Sequence, residues 1–224
     1  MPLTDKHLAV LRRHMVELIA LHAEVLEDEL GKRSLQVRVL DAMHRVPRHL
    51  FVPVELAALA HQDTPLPIGF GKTISQPFIC ALMTDLLDPG DAESVLEIGT
   101  GFGYQTAILA ELSGQVATVE VVEEFSLRAE AVLEQLGYSN IRFRVGDGSR
   151  GWVEHAPFDK IMLTAAPERL PAALLDQLRP GGRMVLPVGP AEDQRLTVVD
   201  KDATGKIQAR EVIPVRFSGL ETVN

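Results

Sequence analysis

From Ser94 to Pro187 the chain alternates short apolar runs of strand character with amphipathic helical stretches, and no other feature narrows its fold so far. Strands are expected at Ser94–Ile98, Gln115–Val121, Ile141–Val145, Lys160–Thr164 and Arg183–Pro187. Helices are expected between them at Tyr104–Leu112, Glu124–Leu136 and Pro171–Leu178. Strands separated by helices pair in parallel through right-handed crossovers, and the helices then cover both faces of the sheet. The tail breaks the pattern. Leu196–Asp200 and Ile207–Val215 flank the turn residues Ala203-Thr204-Gly205, which predicts an antiparallel pair at the sheet edge. The fold class expected is therefore α/β, with a doubly wound, mostly parallel sheet.

Helices precede this core. Leu8, Leu11, Met15, Leu18 and Val25 recur at helical spacing along one face, and Gly31 is placed to end that helix. Ser34 reads as the cap of the next, whose apolar face is Leu35, Val39, Met43 and Val46 and whose stop is Pro47. From Pro47 to Pro77 prolines and glycines accumulate, which predicts an ordered loop rather than helix or strand. Its apolar residues, among them Leu50, Phe51, Leu66 and Ile68, need burial, so the segment is no flexible linker. Long ordered loops inside a domain are uncommon and often functional. A helix with Ile79, Leu82, Met83, Leu86 and Leu87 on one face follows and closes at Pro89-Gly90. One domain is expected over 1–224, divided into a helical flank (1–47), a loop region (48–77) and an α/β core (78–224).

Lysine and arginine number 22 against 31 acidic residues, a net charge of −9, which argues against holding nucleic acid by phosphate neutralisation. One cysteine, Cys80, excludes an intramolecular disulfide and a thiolate zinc site, and no metal is expected. The apolar runs are too short and interrupted to span a membrane. Charges between Met1 and Arg13 interrupt the apolar stretch a signal peptide needs, which makes the cytoplasm the expected compartment.

The densest local signal is Val95-Leu96-Glu97-Ile98-Gly99-Thr100-Gly101-Phe102-Gly103, a strand running through three alternate glycines into a helix. Glycines serve where the backbone turns sharply and a ligand must approach without a Cβ in the way. Dinucleotide sites favour G-x-G-x-x-G, but here the sixth position is the bulky Tyr104. Glu97, just before the glycines, would repel a pyrophosphate and suit the cationic methionine end of S-adenosylmethionine. Glu120 ends the next strand, seventeen residues past the last glycine, where an acid can accept both ribose hydroxyls. Gly146-Asp147-Gly148 follows the third strand, and Asp147 is expected to accept from the adenine amino group. The cofactor set expected is Thr73, Ile74, Ser75, Glu97, Gly99, Thr100, Gly101, Gly103, Glu120, Val121, Asp147 and Gly148.

Further motifs carry a family likeness. Asp63-Thr64-Pro65-Leu66-Pro67-Ile68-Gly69 and Thr73-Ile74-Ser75-Gln76-Pro77 are followed by Glu97–Gly103, Gly146-Asp147-Gly148, Thr164-Ala165-Ala166-Pro167 and Leu186-Pro187-Val188-Gly189. Their order, from about residue 40 onward, resembles the protein-L-isoaspartate O-methyltransferase family. The resemblance implies a seven-stranded sheet of the S-adenosylmethionine-dependent methyltransferase type. It implies methyl transfer to the α-carboxylate of L-isoaspartyl residues in damaged proteins and peptides, which starts their repair. It also implies Ser75 as the catalytic serine, a position that reads at the same time as the cap of the following helix. Pro65, Leu66, Ile68, Ala165 and Ala166 are expected to hold the peptide. Three positions depart from the family pattern: His61 where tyrosine is common, Phe102 where a small residue is frequent, and Arg150 in place of an apolar residue.

The chemistry implied needs no general base, because a carboxylate is already ionised at pH 7. Ser75 would position that carboxylate by donating a hydrogen bond. Two other readings stay open on sequence: a carboxyl methyltransferase that tailors one aspartate of a dedicated peptide, and a nucleotide-sensing module with a dead site. A nucleic-acid methyltransferase fits neither the charge nor the Thr164-Ala165-Ala166-Pro167 segment, and oligomeric state is not legible.

Overall fold

The structure, a computed structural model, describes residues 4–222. A seven-stranded sheet carries the fold. Its strands are β3 (Ser94–Ile98), β4 (Gln115–Glu120), β5 (Ile141–Val145), β6 (Phe158–Leu163), β7 (Leu178–Val188), β8 (Gln194–Lys201) and β9 (Ile207–Val215). They lie in the order β5-β4-β3-β6-β7-β8-β9. The first five pair in parallel, and β8 and β9 continue the sheet antiparallel. Strand order therefore reverses beside β3, and open α/β sheets bind ligands at the carboxyl ends of the strands flanking such a reversal. Helices α5 (Tyr104–Ala110), α6 (Glu123–Gln135) and α7 (Ala172–Gln177) make the crossovers. The core strands β3 and β5 and the hairpin strand β9 keep the bounds expected from their apolar runs.

At the N-terminus lie α1 (Asp5–Val25), the single turn α2 (Glu27–Leu30) and α3 (Val37–Arg45). Gly31, in the left-handed region at φ 66°, ends α2. Two expectations fail here. α3 is preceded by Gln36 in extended conformation, not capped by Ser34. The buried face of α1 is Leu8, Met15, Ile19 and Ala23, whereas Leu18 and Val25 are 45% and 71% exposed. The helix has apolar residues on two faces, so spacing alone does not select the one that packs on α3 and on α4 (Pro77–Leu87).

Helix α4 is buried nearly all round, between the flank and the sheet. Asp85 ties it to the flank by an ion pair with Lys32 and by accepting the Gln36 N–H at 2.7 Å. Arg38 donates to the carbonyls of Pro89 (2.7 Å) and Leu112 (2.9 Å). One apolar cluster consequently runs from Met15 in α1 to Ile213 in β9. Among the described residues no helix is long and apolar enough to cross a membrane.

The segment from Pro47 to Pro77 is more regular than its composition predicts. It holds two short 3-10 turns, Arg48–Phe51 and Val54–Leu59, and an antiparallel hairpin of β1 (Leu66–Gly69) and β2 (Lys72–Ile74). The hairpin turns on Phe70 and Gly71, both at positive φ. Proline in β1 is tolerated because a two-stranded ribbon has only edge strands.

Candidate active site

The turn from β3 into α5 is built on left-handed backbone: Gly99, Gly101 and Gly103 have φ of 97°, 54° and 95°. A side chain is strained at each, and each glycine also meets a different neighbour. A Cβ on Gly99 would strike the Thr164 hydroxyl, which donates to the Gly99 carbonyl at 2.7 Å and so ties the turn to the end of β6. A Cβ on Gly101 would meet only Ile68, at 3.4 Å, and the Gly101 N–H donates to Glu120 Oε2 at 2.8 Å. Glu120 Oε1 accepts the Val122 N–H at 3.0 Å. Two backbone donors thus fix a carboxylate that is 6% exposed, while each oxygen keeps a lone pair for a ligand hydroxyl.

Around this turn lies a partly open cavity of about 110 Å³. Gly99, Thr100, Gly101, Glu120, Val121 and Gly148 form one wall. Ile68, Thr73, Ile74 and Ser75 form another, and Ala165 completes the rim at the end of β6. The two segments that sequence placed in one site therefore do meet across one space.

The Ser75 segment owes its position to distant side chains. Arg48 is fully buried, donates from Nε to the Ala60 carbonyl (2.8 Å) and from Nη2 to the Ser75 carbonyl (2.7 Å), and lies 4.7 Å over the Tyr104 ring. Its Nη1 has no partner among the described residues. Asp63 accepts the Phe78 N–H at 2.8 Å and the Gln76 side-chain amide at 2.9 Å, and contacts His22 at 2.7 Å. The cap of α4 is thus supplied by Asp63 from another segment. The dual reading of Ser75 is corrected accordingly: Gln76 is the residue before the helix, and no side chain of that position caps it. Cys80, one turn into α4, faces the same carbonyl with Sγ 3.8 Å from Ser75 O, and burial pushes its thiol up to about 11.

Several expected residues stand elsewhere. Glu97 is fully buried and does not line the cavity. Side chains alternate along a strand, so Glu97 faces away from Ile98, which does line it. Glu97 lies opposite Thr118 in the parallel ladder and accepts from the hydroxyls of Thr106 (2.5 Å) and Thr118 (2.7 Å). Burial raises its carboxyl to about 8 despite those two donors. Gly103 serves packing: a Cβ there would press on Leu133 and Ala129 of α6, at 3.0 and 3.1 Å. Asp147 accepts the Ser149 N–H at 2.9 Å, and only its neighbour Gly148 reaches the cavity. Pro65, Leu66 and Ala166 also stay outside the lining, Ala166 bonding the C-terminal segment through backbone at Ser218 and Leu220.

The three unusual positions separate. Phe102 forms cavity wall, edge-on to Phe125 at 5.0 Å with the Arg128 guanidinium 3.9 Å over its ring. Arg150 lies outside, 3.4 Å from Asp147. His61 is buried away from the cavity beside His49, and burial, His49, Arg12 and Arg48 in that order lower it to about 4. Sequence reasoning missed Lys72, Gln105 and the segment Ser218–Glu221, all of which line the cavity, as does Thr164 of the expected Thr164–Pro167 segment. Only Lys72 carried a local signal, as neighbour of Thr73. Among the described residues no group of His, Cys, Asp and Glu is arranged to hold a metal ion.

A family model described as protein-L-isoaspartate(D-aspartate) O-methyltransferase matches residues 21–223. The chain is 51% identical over 219 residues to protein-L-isoaspartate O-methyltransferase 1 of Polaromonas sp., covering 98% of this chain and 93% of that one. It is 50% identical over 210 residues to protein-L-isoaspartate O-methyltransferase 2 of Syntrophobacter fumaroxidans, covering 93% of this chain and 85% of the relative. In fold it is similar to a solved protein-L-isoaspartate O-methyltransferase, with TM-score 0.78 at 24% identity, over 93% of this chain and 65% of that one. It is also similar to a Plasmodium falciparum protein described as a putative protein-L-isoaspartate O-methyltransferase in complex with S-adenosyl-L-homocysteine. There the TM-score is 0.72 at 23% identity, over 84% of this chain and 92% of that one.

Proposed function

Because the chain belongs to the protein-L-isoaspartate(D-aspartate) O-methyltransferase family, we propose that it methylates the α-carboxylate of L-isoaspartyl residues in damaged proteins and peptides. It does so as an S-adenosylmethionine-dependent transferase, and the ester it forms starts repair. The observation that carries this reading is the meeting of the glycine turn, with Glu120 fixed inside it, and the Ser75 segment across one cavity.

The residues present suit the cofactor. Gly99 and Gly101 leave room where any Cβ would collide or strain, and Glu120 presents two oxygens to ribose hydroxyls. Gly148 and Val121 offer a flat edge for a base, while Thr73, Ile74 and Ser75 border the other side. When bound, S-adenosylmethionine supplies an electrophilic methyl on a sulfonium. The protein's own part is placement. Arg48 holds the Ser75 carbonyl, leaving its hydroxyl to donate to the incoming carboxylate. Ile68, Phe102 and Phe125 exclude water from the space between. The rim at Ala165 is the candidate contact for an extended peptide. No base is called for: the substrate carboxylate arrives ionised, and His61 is neutral and away from the cavity. Glu97, held neutral at pH 7, supports the turn from beneath. The flank, loop region and core would act as one domain working on protein substrates, in the cytoplasm.

The test is methyl transfer to a peptide containing isoaspartate beside its aspartyl twin. Turnover of the isoaspartyl form alone supports the reading. Turnover of the aspartyl twin, or of neither, overturns it.

A further inference from the structure

The cavity has one basic lining residue among those described, Lys72, at the start of β2. Its ammonium is paired with Glu221 at 2.5 Å, and the two side chains are 22% and 55% exposed. Glu221 lies 149 positions away, on the C-terminal segment whose residues Ser218–Glu221 close one side of the cavity. That segment does not depend on the pair for its place. Ala166 donates to the Ser218 carbonyl at 2.8 Å and accepts the Leu220 N–H at 2.9 Å. The backbone is therefore anchored one residue before Glu221, and the glutamate side chain is free to swing to solvent while the strap stays docked.

The charges of the expected ligands do not fit this resting arrangement. Building on the methyltransferase reading above, the cavity must accept two carboxylates, the methionine carboxylate of the cofactor and the α-carboxylate of the isoaspartyl residue. Glu120 and Glu221 already contribute two negative charges to the lining, against Lys72 alone. An ion pair at the solvent edge is worth little by itself, because water competes with it and salt screens it. The exchange of one carboxylate for another on the same ammonium is then nearly balanced, and a ligand held also by the glycine turn or the Ser75 segment tips it.

We propose that Lys72 is the receptor for a ligand carboxylate at the solvent edge of the cavity, and that Glu221 is its internal placeholder, displaced when the ligand binds. Lys72 is then a specificity-determining residue. Glu221 sets the threshold a ligand must pass.

Breaking the pair from either end separates this from a structural clasp. Wild-type enzyme is first shown to methylate an isoaspartyl peptide; failure there would count against the methyltransferase reading itself. Lys72→Met and Glu221→Gln are then compared by calorimetry with S-adenosylhomocysteine and by steady-state KM for the peptide. Lys72→Met should weaken one of the two by about tenfold, the loss expected for a hydrogen bond to a charged group. Glu221→Gln should tighten the same one, by roughly two- to fivefold, because the competitor is gone. Movement of the S-adenosylhomocysteine affinity assigns the methionine carboxylate, and movement of the peptide KM assigns the isoaspartyl one. Lys72→Arg should restore binding to within about threefold of wild type, since it restores the charge. The proposal is overturned if both disruptions shift binding in the same direction, or if Lys72→Met leaves both parameters unchanged.

Discussion

The glycine turn and the Ser75 segment face each other across one cavity, yet different parts of the chain keep them in shape. In the turn the backbone does the work: left-handed φ at Gly99 and Gly101, and a Gly101 N–H that fixes Glu120. In the Ser75 segment side chains do it, with buried Arg48 and Asp63 holding the Ser75 carbonyl and the Phe78 N–H from 27 and 15 positions away. Their buried titratable groups differ as well. Glu97, under the turn, is raised to about 8, whereas His61, behind the other segment, is lowered to about 4. A turn made of backbone tolerates little change in its residues but needs few distant partners. A segment made of long-range contacts tolerates local change and depends on residues far off.

The two buried groups give the largest effects, and the effects have opposite sign. His61 takes its proton near 6.5 when unfolded and near 4 when folded, so its contribution is intact above about 6.5 and lost as pH falls towards 4. Glu97 ionises near 4.5 when unfolded and near 8 when folded, so stability is intact below about 4.5 and declines as pH rises to about 8. Each slope amounts to roughly 3 kcal/mol or more across its window, from the free energy of a pKa unit. Chemical denaturation at closely spaced pH should show His61→Phe flattening the acid side and Glu97→Gln the neutral-to-alkaline side. If one variant flattens both, the regions are electrostatically coupled and the comparison breaks.

Next in size is Gly101→Val. A branched side chain at φ 54° is strained and faces the ligand space, so affinity for S-adenosylhomocysteine should fall about a hundredfold or more. Unchanged binding would reduce the glycines to a bare turn.

Glu120→Ala and Ser75→Ala should each cost about ten- to a hundredfold, in different quantities. The first should raise the dissociation constant for S-adenosylhomocysteine. The second should lower the single-turnover rate more than it weakens binding. Equal losses in both quantities for both variants would merge the two walls into one functional unit.

The smallest effect is on stability. Because Asp63 caps α4, Asp63→Ala should lower the melting free energy by about 1 to 2 kcal/mol, while Ser75→Ala leaves it almost unchanged. The reverse order would return the cap to Ser75.

The same contrast explains what the sequence disclosed. β3, β5 and β9 were legible to the residue because apolar runs bounded by turn residues are a local pattern. The glycine turn was legible for the same reason, and Glu120 followed from its place at a strand end. Gly103 was drawn into the site by the glycine pattern, Asp147 by its place after a strand end, and Glu97 by its charge beside the glycines. Strand alternation turns Glu97 aside, α6 claims Gly103, and the Asp147 carboxylate is taken by its own turn. Ser34 and Ser75 satisfied a capping rule written for neighbours, but at α4 the cap came from Asp63. Asp63 showed only as the first residue of a motif, and the roles of Arg48, Asp63 and Glu221 were not legible, since what each does is defined by a partner on another segment.

One consequence belongs to Cys80. Its thiol is 2% exposed, is pushed up to about 11, and points at the same carbonyl that Arg48 grips. Alkylating reagents attack the thiolate, so they find almost nothing to react with while α4 is packed. Its sulfur borders the cavity beside Ser75, so modification waits for the Ser75 segment to open, and its rate then reports how often that happens. The chain carries no other cysteine, so the adduct grows as a single exponential with one address. Mass spectrometry of the intact protein would read it as a clock, ticking each time the segment bearing Ser75 comes undone.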